Sequence, residues 1–240
     1  MADRDLTIPD QAIPYILYQR TAYLSARRPL WYRLGKKLFP ALAYRRLVDR
    51  EARSRPREIH DLFIRDMQEE YRRIRDALPD SPLHILDIGC GVAAINLFLF
   101  RHYRQSPRTH FHLLDKTSTA HRVYYGFKSQ GAFYNSLAVA RELLIQNGVP
   151  AENIHLMEVT PDLHIPVATP LDLVISLLSW GHHYPVETYL NQVHDRLASG
   201  GRLILDIRHG TDGDKPLRSK FAAVTALYEA EKFTRFLAVK

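Results

Sequence analysis

The stretch His84–Phe100, HILDIGCGVAAINLFLF, decides the fold of this chain. Its apolar start has the composition of a β-strand, and an apolar segment of helical character follows the glycines Gly89 and Gly91. Glycine allows positive φ in such a turn and lets a ligand approach closely, because it has no Cβ. A helix that begins there presents free backbone N–H groups to the ligand. The stretch therefore predicts a strand–turn–helix unit that binds a small molecule.

Asp87 lies at the tip of this predicted strand, and its charge limits which ligand fits. A carboxylate repels a pyrophosphate, whereas it attracts an ammonium group or a ribose hydroxyl. A dinucleotide-binding unit also requires G-x-G-x-x-G, and the third glycine position is Ala94 here. The pattern Asp87-x-Gly89-x-Gly91 after a hydrophobic strand resembles the first motif of class I S-adenosylmethionine-dependent methyltransferases. The alternative is a tight strand-to-helix turn in another α/β protein.

The resemblance implies a fold, a domain division and a cofactor. The fold is α/β, with a seven-stranded, mostly parallel Rossmann-like sheet that has helices on both faces. Residues 1–58 would form an N-terminal helical cap, and residues 59–240 the S-adenosylmethionine-binding domain. S-adenosyl-L-methionine would be the methyl donor and S-adenosyl-L-homocysteine the product. The motif residues assigned to the cofactor are Asp87, Gly89, Cys90 and Gly91, with Asp87 orienting its amino-acid end.

Length and composition fit one α/β domain with an appendage. The chain has 240 residues, of which 46% are hydrophobic and 25% charged, as is ordinary for a globular protein. The single cysteine, Cys90, cannot form an intramolecular disulfide, which favours a reducing compartment. The first ten residues have no signal-peptide core, and no apolar run reaches the roughly 18 residues that span a bilayer. We expect a soluble, cytoplasmic protein.

Positive charge is concentrated near the N-terminus. Between Arg20 and Arg57, ten arginines and two lysines oppose only Asp49 and Glu51, a net charge of +10 in a chain whose total is +7. Such a segment favours an anionic partner: a phosphorylated substrate, a membrane surface or a nucleic acid. A solvated basic helix surface is the alternative. No zinc finger or RNP motif accompanies it.

Residues 11–56 predict a series of short helices. The residues expected to interrupt them are Pro14, Pro29, Gly35, Pro40 and Pro56. Tyrosines, tryptophan and phenylalanine alternate with the basic residues, and by the resemblance we expect this segment to close over the substrate as a lid. Apolar residues at steps of three and four then predict a helix over Ile59–Leu78 whose aromatic and methionine side chains belong to the core.

The second predicted strand, His110–Leu114, ends at Asp115. An acidic residue at this strand tip accepts hydrogen bonds from two vicinal hydroxyls of a ribose, and Asp115 follows Gly91 by 24 residues, close to the spacing of about 20 in nucleotide-binding units. The resemblance assigns Asp115 and the adjacent Lys116 to the cofactor. A solvent-facing aspartate is the alternative.

The next segment contains a long connection, Thr117–Phe133, expected to fold over the site or pack on the N-terminal segment. Asn135 or Ser136 should cap a helix over Leu137–Asn147. A third strand is predicted at Ile154–Val159. By the resemblance, residues near its end contact the adenine, namely Glu158, Val159 and Thr160.

The run Leu171–Leu178 predicts a central strand buried on both faces, and it leads into a loop, Ser179–Pro185, with the sequence SWGHHYP. This segment resembles the fourth motif of the family, whose residues lie beside the transferred methyl group. The resemblance assigns Ser176 and Leu177 to the cofactor. The candidate catalytic residues are His182, His183 and Tyr184.

An imidazole titrates near neutrality, so either histidine could accept a proton from a hydroxyl or an amine. Because adjacent residues of an extended segment point in opposite directions, we expect one histidine at the acceptor and favour His183. The alternative is that both only shape the pocket. No carboxylate and histidine ligand set accompanies the pair, so no metal site is expected.

The C-terminal part predicts a fifth strand at Arg202–Arg208, with Asp206 and Arg208 as possible substrate contacts. The last residues are compatible with a helix over Ala222–Glu231 or with a hairpin. The resemblance favours the hairpin, with strands near Val224–Glu229 and Phe233–Val239.

The resemblance implies methyl transfer to an oxygen, or less favourably a nitrogen, of a small hydroxylated metabolite such as a sugar, and the basic N-terminal segment favours an anionic one. RNA or protein methylation is the alternative within the family. From other classes, an NAD(P)-dependent oxidoreductase and a non-catalytic cofactor-binding or lipid-surface adaptor remain open. The oligomeric state is not predicted.

Overall fold

The computed structural model describes residues 6–26, 29–119 and 134–240. Its helices are α1 (Ile13–Gln19), α2 (Leu30–Leu38), α3 (Pro40–Ser54), α4 (Pro56–Arg72), α5 (Ala94–His102), α6 (Leu137–Gln146), α7 (Glu187–Arg196) and α8 (Asp214–Lys220). Its strands are β1 (His84–Ile88), β2 (His110–Asp115), β3 (Ser118–Thr119), β4 (Tyr134–Asn135), β5 (Ile154–Glu158), β6 (Leu171–Ser176), β7 (Ser179–Tyr184), β8 (Leu197–Arg208), β9 (Ala223–Glu229) and β10 (Phe233–Val239). Most of the predicted connection Thr117–Phe133 lies outside the described residues.

Seven strands form one sheet in the order β5-β2-β1-β6-β8-β10-β9. β10 is antiparallel to both of its neighbours, and the other pairs from β5 to β8 are parallel. This arrangement confirms the predicted Rossmann-like methyltransferase fold. The strand order reverses between β1 and β6, and in open parallel sheets ligands bind at the carboxyl ends of strands beside such a reversal.

The N-terminal segment and the sheet share one hydrophobic core. Ile16 and Leu17 of α1 are fully buried in the same cluster as Ile59 of α4 and Phe98 of α5. α5 is apolar on nearly all sides because it lies beneath α4 and next to α6 as well as against the sheet. The predicted domain boundary at residue 58 falls within the range of α4, Pro56–Arg72.

Several predicted element boundaries are corrected by the structure. Pro14 and Gly35 lie inside α1 and α2 rather than between helices. Pro40 and Pro56 begin α3 and α4, because the first helical turn needs no backbone N–H partner. The helix predicted over 59–78 ends at Arg72 and is followed by a short 3-10 turn at Arg75–Ala77.

Around β6 the chain also departs from its prediction. β6 ends at Ser176, because Leu178 has a φ of +55° and leaves the strand direction. The expected loop after it is the extended strand β7. β8 begins at Leu197 rather than Arg202, and Leu197 pairs with Leu171. The C-terminal hairpin of β9 and β10 is confirmed, and Ser136 caps α6 by accepting a hydrogen bond from the Val139 N–H.

Four histidines stack near the amino ends of β1, β2 and β5: His84, His110, His112 and His155. Burial, followed by the neighbouring imidazoles, lowers the pKa of His112 to about 3, so its ring is neutral at ordinary pH. Across the described ranges, no three His, Cys, Asp or Glu side chains are arranged to hold a metal ion. None of the described helices has both the length and the apolar character needed to cross a membrane.

Candidate functional site

A cavity of about 290 Å³ lies at the carboxyl ends of β1, β2 and β6, beside the reversal of strand order. The sheet side of its lining comprises Asp87, Gly89, Cys90, Gly91, Asp115, Leu177, Leu178, Ser179, His183 and Tyr184. The opposite side is built by Tyr18, Gln19, Arg20 and Thr21 of the N-terminal segment and by Phe63, Met67 and Glu70 of α4. The cavity is therefore enclosed between the sheet and the N-terminal helices.

The two glycines of the first motif permit close packing on both sides of the turn. Gly89 has a φ of +72°, and a Cβ there would lie 1.8 Å from the Ser179 Oγ. Gly91 has a φ of +57°, and a Cβ there would lie 2.8 Å from the Gln19 Oε1. A larger residue at either position would strain the backbone; at Gly89 it would also collide with Ser179 of β7, and at Gly91 the end of the Gln19 side chain would have to move. The motif is thus built to bring two other elements against the turn.

Asp87 is buried and carries one strong internal hydrogen bond. The Asn96 Nδ2 donates to its Oδ2 at 2.6 Å. Burial raises the pKa of the Asp87 carboxyl to about 7, Asn96 opposes the rise, and the nearby Asp115 adds to it. A cationic or hydroxyl-bearing ligand would relieve this unfavourable burial of negative charge.

Asp115 accepts two backbone hydrogen bonds that hold it at the cavity. The Gly91 N–H donates at 2.8 Å and the Lys116 N–H at 2.7 Å. Burial raises the pKa of Asp115 to about 6 in spite of these donors. Asn135 also lines the cavity, and its buried Oδ1 has no hydrogen-bond partner among the residues that the structure describes. Two carboxylates and an orphaned amide oxygen together form a set of acceptors that needs a ligand with donors.

Cys90 lies between the two carboxylates and is buried. Burial raises the pKa of its thiol, and the charges of Asp115 and Asp87 raise it further. The thiol stays protonated, so a nucleophilic role is not supported. Cys90 acts as a small residue within the turn.

The two histidines of β7 have ring centroids 4.9 Å apart, but they differ in what they face. His183 lines the cavity, whereas the ring of His182 lies 5.9 Å from the ring of Phe233 outside the lining. Burial, and then the charge of His183, lower the pKa of His182 to about 4. Tyr184 lines the cavity with its hydroxyl 3.4 Å from the Ser179 Oγ, and burial raises the pKa of its phenol. Of the two histidines, His183 is the one placed to meet an acceptor.

Other predicted cofactor residues lie outside the lining that the described residues form: Lys116, Glu158, Val159, Thr160 and Ser176. Glu158 accepts a hydrogen bond from the Thr117 N–H, and Thr160 donates to Asp162. Ser176 is fully buried, donates to the Ile88 carbonyl at 2.7 Å and accepts from the Trp180 N–H. Its hydroxyl is used to join β6 to β1 and β7, so we remove Ser176 from the candidate site.

Asp206 was expected as a substrate contact, and this expectation is wrong. It is fully buried and forms a bidentate ion pair with Arg235, whose Nε and Nη2 donate to the two carboxylate oxygens at 2.6 and 2.8 Å. Arg235 also contacts the Glu70 carboxylate at 2.7 Å. The Asp206 Oδ2 accepts a hydrogen bond from the Leu178 N–H, so this network holds the chain between β6 and β7 in place.

Several residues that line or support the site lie outside the predicted site residues. Phe63 and Met67 were expected in the core, and they are buried but also line the cavity. Gln19 and Asn135 had no recognisable signal. Asn96 had one: it is the single polar residue in the apolar run AINLFLF, and a buried asparagine requires a partner.

No family model matches this chain, and no curated protein matches it. Solved structures do resemble it. Precorrin-6y C5,15-methyltransferase from Geobacter metallireducens has 18% identity over 72% of this chain and 88% of that one, with a TM-score of 0.49. A T. thermophilus 16S rRNA N2 G1207 methyltransferase, in complex with AdoMet and guanosine, has 16% sequence identity with a TM-score of 0.49. The match covers 70% of this chain and 41% of that one. A TehB-like SAM-dependent methyltransferase from Corynebacterium glutamicum has 15% sequence identity with a TM-score of 0.48. The match covers 76% of this chain and 97% of that one. These proteins are similar to this chain in fold.

Proposed function

We propose that this chain is a class I S-adenosylmethionine-dependent methyltransferase. The proposal rests on one observation: the carboxylates of Asp87 and Asp115 are both buried at the cavity. They lie near the carboxyl ends of the neighbouring strands β1 and β2, beside the glycine turn. Burial is the main cause of the raised pKa values of both carboxyl groups. They fit a ligand that brings an ammonium group and vicinal hydroxyls.

The residues present fit S-adenosylmethionine better than a dinucleotide. Asp87 would bind its ammonium end, Asp115 its ribose hydroxyls, and the turn from Gly89 to Gly91 would lie against it without a Cβ in the way. A pyrophosphate placed here would meet two carboxylates, which disfavours an NAD(P)-dependent oxidoreductase. When bound, S-adenosylmethionine supplies an activated methyl group on its sulfonium.

For the acceptor we propose a small hydroxylated molecule that enters between β7 and α4. Phe63 and Met67 offer apolar contact on one side, while His183 and the neutral phenol of Tyr184 offer polar groups on the other. A sugar or a similar metabolite has both an apolar face and hydroxyls. The role we propose for His183 is to accept the proton of the reacting hydroxyl on a ring nitrogen.

The Asp115→Ala variant tests the cofactor assignment. We expect calorimetry to show affinity for S-adenosylmethionine and S-adenosylhomocysteine lowered by about 10–100-fold, because two charge-assisted hydrogen bonds are lost. Asp115→Asn, which keeps an acceptor for the Gly91 N–H, should also weaken binding, and the exposed Asp195→Ala should not. If the unaltered protein bound neither compound, the proposed function would be wrong; undiminished binding by both Asp115 variants would refute only the ribose assignment.

A His183→Ala variant tests the proton acceptor. Turnover, measured as transfer of labelled methyl to acceptors found in a screen of hydroxylated metabolites, should fall by about 10²–10⁴-fold, with cofactor affinity unchanged. His182→Ala is the matched control, because its ring packs on Phe233 outside the cavity, and its effect should be much smaller. Equal turnover in the His183 variant and the unaltered enzyme would leave this histidine with no role in proton transfer.

RNA methylation is the second candidate, and the observation that favours it is the net charge of +10 between residues 20 and 57. Affinity for an RNA acceptor should fall steeply with salt concentration, because each neutralised phosphate releases counterions. A shallow salt dependence of acceptor binding would support the small-molecule acceptor instead.

A further inference from the structure

Large apolar side chains are exposed together at one place on the surface. Eight such side chains are exposed among the described residues, and five of them lie between residues 30 and 42: Leu30, Trp31, Leu38, Phe39 and Leu42. Leu38 and Phe39 form the corner between α2 and α3, with 75% and 65% of their surface exposed. Single exposed leucines are common on proteins, but a cluster of this size indicates an interaction surface.

The same segment is basic and contains no acidic residue. Residues 30–46 include Arg33, Lys36, Lys37, Arg45 and Arg46. Lys37 adjoins Leu38 at the corner and is exposed, as are Arg45 and Arg46 on α3. The corner is therefore an exposed apolar tip that is flanked by basic residues.

The packing of the two helices leaves this tip directed away from the core. α3 places Ala43, Leu47 and Val48 in the interior, and α2 packs mainly on α3. Leu30, Trp31 and Leu38 fall within about 100° of one another around α2, at 100° per residue, so they share one side of the helix. That side has no partner among the described residues that buries it.

We propose that the α2–α3 corner is a docking surface for an anionic lipid bilayer. Phe39 and Leu38 would enter the boundary between headgroups and acyl chains, and Trp31 would lie at the headgroup level. The exposed Lys37, Arg45 and Arg46 would contact lipid phosphates. This inference does not depend on methyltransferase activity.

Other occupants explain fewer of the observations. A nucleic acid would use the basic residues, but it gains little from exposed leucines, because bases stack on aromatic rings. A second copy of the chain would bring two like-charged surfaces together in a symmetric contact. An anionic bilayer accommodates both the apolar tip and the positive charge.

Vesicle sedimentation with the full chain tests the proposal. We expect binding to vesicles of phosphatidylcholine containing roughly one-third phosphatidylglycerol, with much weaker binding to phosphatidylcholine alone. The Leu38→Ser/Phe39→Ser variant should lose about tenfold or more in vesicle affinity, as should Arg45→Glu/Arg46→Glu. Leu83→Ser, at a leucine that is 45% exposed elsewhere on the surface, and Arg108→Glu are the controls and should bind like the unaltered chain.

Tryptophan fluorescence reports whether the tip itself enters the lipid. The chain has two tryptophans, and Trp180 is fully buried, so a blue shift on adding vesicles would come from the exposed Trp31 and should vanish in Trp31→Phe. Absence of vesicle binding, or binding that the Leu38/Phe39 variant retains, would overturn the proposal. The proposal would also be overturned if the protein bound an RNA oligonucleotide but not vesicles, or if it formed a dimer through the tip and did not bind vesicles. Circular dichroism of each variant checks that a loss of binding is not a loss of folding.

Discussion

Replacing Arg235 by methionine should lower the free energy of unfolding by about 3–5 kcal/mol, the largest stability effect we expect of any single substitution. Arg235 is fully buried between the Asp206 and Glu70 carboxylates. Removing it leaves the buried Asp206 carboxylate without its cation, whereas Glu70 keeps a second ion pair with Arg73 at 3.2 Å. Burial already raises the pKa of Asp206, and Arg235 opposes that rise. Urea unfolding of the variant and the unaltered protein measures the difference.

A matched double variant separates lost charge pairing from lost packing. Asp206→Asn combined with Arg235→Met keeps an acceptor for the Leu178 N–H but removes one stranded charge. We expect it to recover part of the lost stability, because neutral partners of similar size often replace a buried ion pair at little cost. A loss below about 1 kcal/mol in the Arg235→Met variant would show that the ion pair contributes no more than a surface pair.

Asp87→Asn should weaken S-adenosylmethionine binding by about a hundredfold while making the ligand-free protein more stable at alkaline pH. The pKa of Asp87 is raised to about 7 from 3.8, so the folded state holds this proton more tightly than the unfolded state does. The stability that the protonated Asp87 carboxyl contributes to the folded state is complete below about pH 4 and is lost as the pH rises through about 7. Asparagine cannot ionise, so at about pH 8 it should add roughly 2–4 kcal/mol.

The same titration should appear in cofactor binding. An ammonium group requires the ionised carboxylate, so affinity of the unaltered protein should rise between about pH 6 and 8 and then level off. The Asp87→Asn variant should lose most of this rise in affinity. A smaller rise should remain at lower pH, because Asp115 also ionises and its pKa is raised to about 6.

Thermal unfolding with and without S-adenosylmethionine, at about pH 6 and 8, measures both effects in one series. The exposed Asp195→Asn is the control and should change neither stability nor binding. A variant that binds the cofactor normally, or that is less stable than the unaltered protein at about pH 8, would contradict the role given to Asp87.

The local parts of the site were predictable because they depend on contiguous residues. The strand, the turn through Gly89 and Gly91, and the following helix form wherever apolar residues flank such glycines. Asp87 and Asp115 both line the cavity because Asp87 is the next-to-last residue of β1, Asp115 is the last residue of β2, and the two strands are parallel neighbours. The hairpin at the C-terminus required the family resemblance, since its apolar periodicity was compatible with a helix as well.

Local periodicity and residue chemistry were enough to predict the strands β1, β2, β5 and β6, the glycine turn after β1 and the acidic residues Asp87 and Asp115. The packing of distant elements was needed to show that Gln19 and Phe63 line the cavity, that His183 rather than His182 faces it, and that Asp206 pairs with Arg235. These contacts join residues far apart in the chain. Packing of whole elements selects them, and no local pattern records that packing.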